Sequence, residues 1–304
     1  MASCATPATT PSAATGDGSG DKMVVTATFY PLEYLASSIG GDRVRVVGLV
    51  PAGSEPHDWE PTPGAITLIH NSGVFIYQGA GLETWAERVV RDLPAGRPIV
   101  VEATKGLEVR EGSHEAAEES DATRVPGTKV LDPHLWLDPR LYAREAEAVE
   151  AAMSMADPEG KAVYGANLAG LLAKLNALEI EMSAGLASCQ RRTIITSHGA
   201  FSYLAARFNL EQISVSGVSP EEEPSPARMK AIVDIVKAQG ATHIFFETLV
   251  SPKVAETLAR ETGTQTLVLD PVEGLTAEGL AERKDYLSVM RQNLANLRLA
   301  LGCA

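Results

Sequence analysis

Between Pro158 and Ser188 the chain reads PEGKAVYGANLAGLLAKLNALEIEMSAGLAS, a stretch that allows little but helix. Tyr164, Leu168, Leu171, Leu175, Leu178 and Met182 recur at alternating steps of four and three, one apolar stripe along a helix. Asp157 and Pro158 supply an N-cap and a first-turn proline. At 1.5 Å per residue, about thirty helical residues extend about 45 Å. The preceding YAREAEAVEAAMSMA is helical as well, so 141–188 reads as a helical region. A helix that long runs the length of the molecule, and the rest of the chain has to be arranged around it.

On both sides the texture is strand–helix–strand. Before the helical region, strands are expected at Val24–Phe29, Val44–Val50, Val74–Tyr77 and Ile99–Glu102, with helices at Pro31–Ile39, Ala65–His70 and Leu82–Leu93. After it, strands are expected at Thr193–Thr196, Gln212–Ser214, His243–Phe246 and Thr266–Leu269. Helices are expected there at Ala200–Phe208, Ser225–Gln239, Pro252–Thr262 and Tyr286–Leu301. Alternation of this kind gives parallel sheets covered by helices. The fold class is therefore α/β: two lobes, 23–140 and 189–304, each with a parallel sheet flanked by helices, joined by one long rigid helix. A helix resists bending, so the cleft between the lobes should close little on a ligand. Within the first lobe, 107–130 contains REGSHEAAEESDATR, acidic and without apolar period, and is expected to be a mobile surface loop.

The 304 residues carry a formal net charge of −13, which argues against nucleic acid as a partner, because phosphates call for clustered Lys and Arg. Residues 1–22 are mostly Ser, Thr, Ala, Gly and Pro, too polar to bury themselves, and read as a disordered tether. Met-Ala-Ser-Cys at its start resembles the end of a bacterial lipoprotein signal peptide, so Cys4 is a candidate lipid anchor and the only expected link to a membrane. If the chain is exported, Cys189 and Cys303 would pair and pin the last helix; in a reducing compartment they would stay free thiols.

Four candidate ligands share a position. His57 lies in the stiff loop GSEPHDWEPTP after a strand; His134 lies in LDPHLWLDP; His198, in TIITSHGAF, and Asp270, in TLVLDP, stand at strand C-termini. In open α/β sheets ligands gather outside those ends. With two candidates from each half, all four meet only between the lobes. Three imidazoles and one carboxylate suit tetrahedral Zn2+, whereas Mg2+ and Ca2+ want oxygen shells. Trp59 and the prolines would fix the rotamer of His57. Asp58 or Glu247 could balance charge from behind the ligands, and Glu247, ending THIFFE, also competes with Asp270 as the fourth ligand. His70, His114 and His243 lack such placement.

The segments TATFYPLEYLASSIGGDRVRVVGLVPAGSEPHDWEPTP, DPHLWLDP, ITSHGAFSYLAARFNL, SPEEEPSPARM and FFETLVSPKVAETLARETG resemble the zinc/manganese solute-binding proteins of bacterial ABC importers, over essentially all of Met23 to Leu301. The resemblance implies two (βα)4-type lobes on a long connecting helix, with a metal held between them by His57, His134, His198 and Asp270. It also implies an extracytoplasmic monomer that hands zinc to an ABC importer permease. Manganese members have Glu where His198 stands, so the resemblance favours Zn2+ over Mn2+. Many zinc members carry a long His-rich loop where this chain has a short acidic one holding His114 alone. Other readings are a manganese receptor or a metal-binding surface adhesin on the same scaffold, and a zinc hydrolase. The last needs an open coordination position and a general base, and neither HExxH nor G-x-S-x-G is present.

Overall fold

The computed structural model describes residues 22–112, 130–220 and 224–304. The expected tether with Cys4, most of the acidic loop with His114, and Glu221 to Glu223 lie outside the described residues.

The first sheet is built from β1 (Met23–Ala27), β2 (Val44–Gly48), β3 (Val74–Tyr77) and β4 (Ile99–Glu102), all parallel in the order β2-β1-β3-β4. The second repeats that topology with β5 (Thr193–Thr196), β6 (Glu211–Ser214), β7 (His243–Phe246) and β8 (Gln265–Val268), in the order β6-β5-β7-β8. Helices α1 (Tyr30–Gly40), α2 (Pro63–Asn71), α3 (Ala86–Asp92) and α4 (Pro139–Ala156) accompany the first sheet. After α5 (Lys161–Gly185) come α6 (Ser202–Arg207), α7 (Pro226–Gln239), α8 (Lys253–Thr262), α9 (Ala277–Ala281) and α10 (Tyr286–Leu301).

Central β3, VFIY, is buried at every position, as a strand covered on both faces requires. β1 and β2 end earlier than the sequence suggests. Their ladder nevertheless continues, since Leu49 N donates to Ala27 O at 2.9 Å and Val50 N to Thr28 O at 2.9 Å. The base of the acidic loop is also more ordered than expected. Gly112 N donates to Val130 O at 2.8 Å and Asp132 N to Arg110 O at 2.9 Å, closing it as a short antiparallel ladder around Glu111 and Leu131.

The helical region resolves into two helices. Asp157 caps a 3-10 turn, accepting from Gly160 N at 3.2 Å, and the chain reverses from α4 into α5. α4 packs on α1, β3 and β4 and belongs with the first sheet, whereas α5 lies against α1 and α4 and also against α10. Its 25 residues make it about 37 Å long. Tyr164, Leu171, Leu175, Leu178 and Met182 of its apolar stripe are buried. They belong to a single apolar cluster that runs from Val25 and Leu35 in the first lobe to Met290 and Leu297 in the second. The two lobes therefore share a core as well as a helix. Cys189 and Cys303 form a disulfide that fastens the end of α10 beside the end of α5.

Candidate metal centre

His57 stands in a loop assembled from consecutive tight turns. Ser54 N donates to Pro51 O at 3.1 Å and Trp59 N to Pro56 O at 3.3 Å, while Gly53, with φ of +79°, donates its N–H to Leu275 O at 3.0 Å. That φ is in the left-handed region that glycine tolerates. Glu55 Oε1 accepts from His57 N at 3.0 Å. Trp59 anchors the far side of the loop edge-on to Trp85, with ring centroids 5.6 Å apart.

His134 opens the 3-10 turn Leu135–Leu137, and Asp132 holds it twice, Oδ1 accepting from its backbone N at 3.0 Å and its Nδ1 at 2.8 Å. Ser202, at the start of α6, donates to Asp132 Oδ2, and Tyr203 OH donates to Asp132 O at 2.9 Å. His198 follows β5, and its Nδ1 lies 2.6 Å from Glu247 Oε1. Ser197 donates to the same oxygen. A carboxylate only accepts, so both Nδ1 atoms carry a proton, and it is Nε2 of each ring that would give up its own proton to present a lone pair to a metal.

The Nε2 atoms of all three imidazoles gather at one place. His57 Nε2 and His134 Nε2 are 3.3 Å apart, and His198 Nε2 and His134 Nε2 are 3.4 Å apart. The fourth group there is Glu273, whose Oε1 lies 3.0 Å from His134 Nε2, 3.5 Å from His57 Nε2 and 3.6 Å from His198 Nε2. Metal–ligand bonds of about 2.0–2.1 Å in a tetrahedron set ligands about 3.3–3.4 Å apart along its edges. The five separations bracket that value. Glu273 Oε2 is buried and has no hydrogen-bond partner among the described residues, an orphan that a cation nearby would relieve. This is the group of His, Cys, Asp and Glu side chains that converges for a metal among the described residues.

The structure thus brings His57, His134 and His198 together and sets Glu273, not Asp270, beside them. Asp270 turns its carboxylate to its own loop and the one after β7, Oδ1 accepting from Val272 N at 2.7 Å and Oδ2 from Thr248 Oγ1 at 2.8 Å. Asp58 is exposed, and the carboxylate behind His134 is Asp132. Glu247 lies behind His198 as an acceptor, outside the converging group. Asp132 had a trace in the sequence, an Asp two residues before a His in LDPH, the spacing of a local side-chain–backbone turn. Glu273 had a weaker one: it is a second acid in the loop that already supplied Asp270.

Electrostatics bind the cluster together. Burial, reinforced by its two imidazole neighbours, pushes His57 below its usual range against the pull of Glu273. Burial works the same way on His134 and His198, yet Asp132 and Glu273 raise the first and Glu247 and Glu273 raise the second well above the ordinary value. Burial would lift Glu273, but three imidazoles hold it well below the usual carboxylate range. Burial and the nearby charge of Glu273 push Glu55 up to about 9, and burial takes Asp270 up to about 6.

Residues 25–300 match the family described as ZnuA, zinc-uptake complex component A periplasmic. The high-affinity zinc uptake system protein ZnuA of Bacillus subtilis is 36% identical over 99% of this chain and 93% of its own length. The zinc-binding lipoprotein AdcA of Streptococcus pneumoniae is 34% identical over 91% of this chain, which spans only 55% of that longer protein. Among solved structures, the Zn(II)-bound ZnuA-like domain of Streptococcus pneumoniae AdcA superposes with a TM-score of 0.78 at 32% identity, covering 92% of this chain and 99% of that one.

Proposed function

Because the chain belongs to the zinc-uptake complex component A family of periplasmic proteins, we propose that it is a high-affinity extracytoplasmic receptor that binds one Zn2+ through His57, His134, His198 and Glu273. It would then deliver the ion to an ABC importer permease. The family is one of metal-binding transport proteins, not enzymes. The observation that carries the reading is the spacing of the four donor atoms, 3.0 to 3.6 Å over the five separations, close to the edges of a zinc tetrahedron. Zinc is the cargo, and a shell of three imidazole nitrogens and one carboxylate suits a borderline cation better than manganese, which prefers oxygen. Four side chains complete a tetrahedron, leaving no position for the activated water of a hydrolase.

Cys4 would carry the lipid anchor that keeps such a receptor at the outer face of the membrane. Among the described residues no helix is long and apolar enough to cross a membrane. The test of binding is metal analysis of protein purified without added metal, followed by titration against a chromophoric zinc chelator. One tight zinc per chain, not displaced by excess manganese, is the expected outcome; preferential manganese binding would refute the reading.

A further inference from the structure

The loop that carries Glu273 begins where its sheet ends. β8 makes its last strand pairing at Val268, and Leu269 N still donates to Phe246 O at 2.9 Å. At Asp270 the strand partner is replaced by a side chain from another element. Asn293, in the middle of α10 and 1% exposed, accepts from Asp270 N through Oδ1 at 2.9 Å and donates from Nδ2 to Asp270 O at 2.7 Å. Both backbone polar groups of one residue are thus held by a single amide. A primary amide sets a donor and an acceptor side by side in a group that stays neutral at every pH, and Asn is shorter than Gln.

The backbone just past Asp270 is strained. Val272 has φ of +60° and is fully buried, an unfavourable conformation for a β-branched residue that persists only where its surroundings enforce it. The enforcement is visible on three sides. Asp270 Oδ1 accepts from Val272 N at 2.7 Å, Trp136 Nε1 donates to Pro271 O at 2.7 Å, and Asn293 fixes Asp270 itself. One residue past the strained position, Glu273 reaches the three imidazoles. Its aim depends on the turn, and the turn depends on its first residue being held still.

We propose that Asn293 is a positioning residue for metal binding, acting only through Glu273. This rests on the four-ligand reading of the site, and it gives the buried amide of α10 a role in affinity, where packing α10 against the sheet would give it one in stability alone. Asn296 on the same helix provides the contrast. Its Nδ2 donates to Val268 O at 2.8 Å, at the end of β8 and before the turn.

The experiment measures zinc affinity by chelator competition, together with the visible spectrum of the Co2+-loaded protein, for the parent, Asn293→Ala, Glu273→Ala and the double variant. Asn293→Ala is expected to weaken zinc roughly tenfold, as the loss of a group supporting a ligand does, and to move the Co2+ bands toward those of Glu273→Ala. In the Glu273→Ala background the same substitution should cost nothing more. An equal loss in both backgrounds, or affinity and spectrum like the parent, would overturn the proposal. Should Glu273→Ala bind zinc as tightly as the parent, the fault lies with the four-ligand site and the proposal falls with it. Asn293→Asp preserves size and the acceptor facing Asp270 N, so it serves if the alanine variant does not fold, and it should show the same dependence on Glu273. Asn296→Ala should lower the melting temperature and leave zinc affinity as in the parent; a zinc loss equal to that of Asn293→Ala would mean that loosening α10 is the whole effect.

Discussion

At the scale of single residues, the two acids of one loop divide the labour. Glu273 faces the imidazoles and Asp270 caps Val272 N, so their substitutions should differ in kind. Glu273→Ala is expected to weaken zinc binding by about a hundredfold or more, since a direct ligand is lost, whereas Asp270→Asn, which keeps an acceptor for Val272 N, should cost less than about tenfold. Chelator competition on the two variants checks the order. That His57, His134 and His198 come together was legible, because each stands alone beside a strand end or a proline. That Glu273 stands beside them was not: the sequence set Glu247 against Asp270 and passed over Glu273, whose direction follows from the positive φ at Val272, which residue types do not reveal. A second acid offers a pH test away from the site. Burial, opposed by a hydrogen bond from Gln78 and aided by the charge of Glu83, pushes the Glu145 carboxyl up to about 8. Between its ordinary value of 4.5 and that point the folded chain keeps a proton that the unfolded chain has released. This stabilisation is complete below the lower limit and is lost as pH rises through the upper one. Glu145→Gln should flatten that decline and raise the melting temperature at pH 8 by at least about 3 °C.

At the scale of elements, the sequence marked all eight strands of the described residues, including the inner ones, because their short β-branched and aromatic runs have no competing period. Boundaries moved where tertiary contacts intervened. The expected helix at Leu82 starts only at Ala86, since the chain first turns through Ala80, at φ of +52°, and Gly81. α9 had no forecast at all; it is one short turn of helix capped by Thr276, too brief for any periodicity to register. α10 was readable in full, and its end is fastened by the Cys189–Cys303 disulfide across a sequence separation of 114. Replacing both cysteines by serine should cost about 2–4 kcal/mol, read as a melting temperature lower by about 5–10 °C. Zinc affinity should hold, because the bond lies past the C-terminal end of α10, whereas Asn293 stands in its middle. Calorimetry and chelator competition on one preparation would separate the two effects.

At the scale of the whole molecule, a single apolar cluster runs through both lobes, with α5 lying against α1, α4 and α10, and should make a stiff body. Opening the lobes would expose the shared core, so zinc should leave the overall dimensions almost unchanged. Small-angle scattering with and without zinc is expected to differ by no more than about 1 Å in radius of gyration; a change of several ångströms would contradict the shared core. Rigidity at this scale shifts the burden of exchange onto the cage wall. The side chains of His134, His198 and Glu273 are at most 1% exposed, while that of His57 is 9% exposed and hangs from a loop. On the proposed four-ligand reading, a competing ligand would find one corner within reach, and the ion would be unhooked a bond at a time from the His57 side. If so, the protein left alone would surrender its metal slowly, and an acceptor that touches that corner would set the rate.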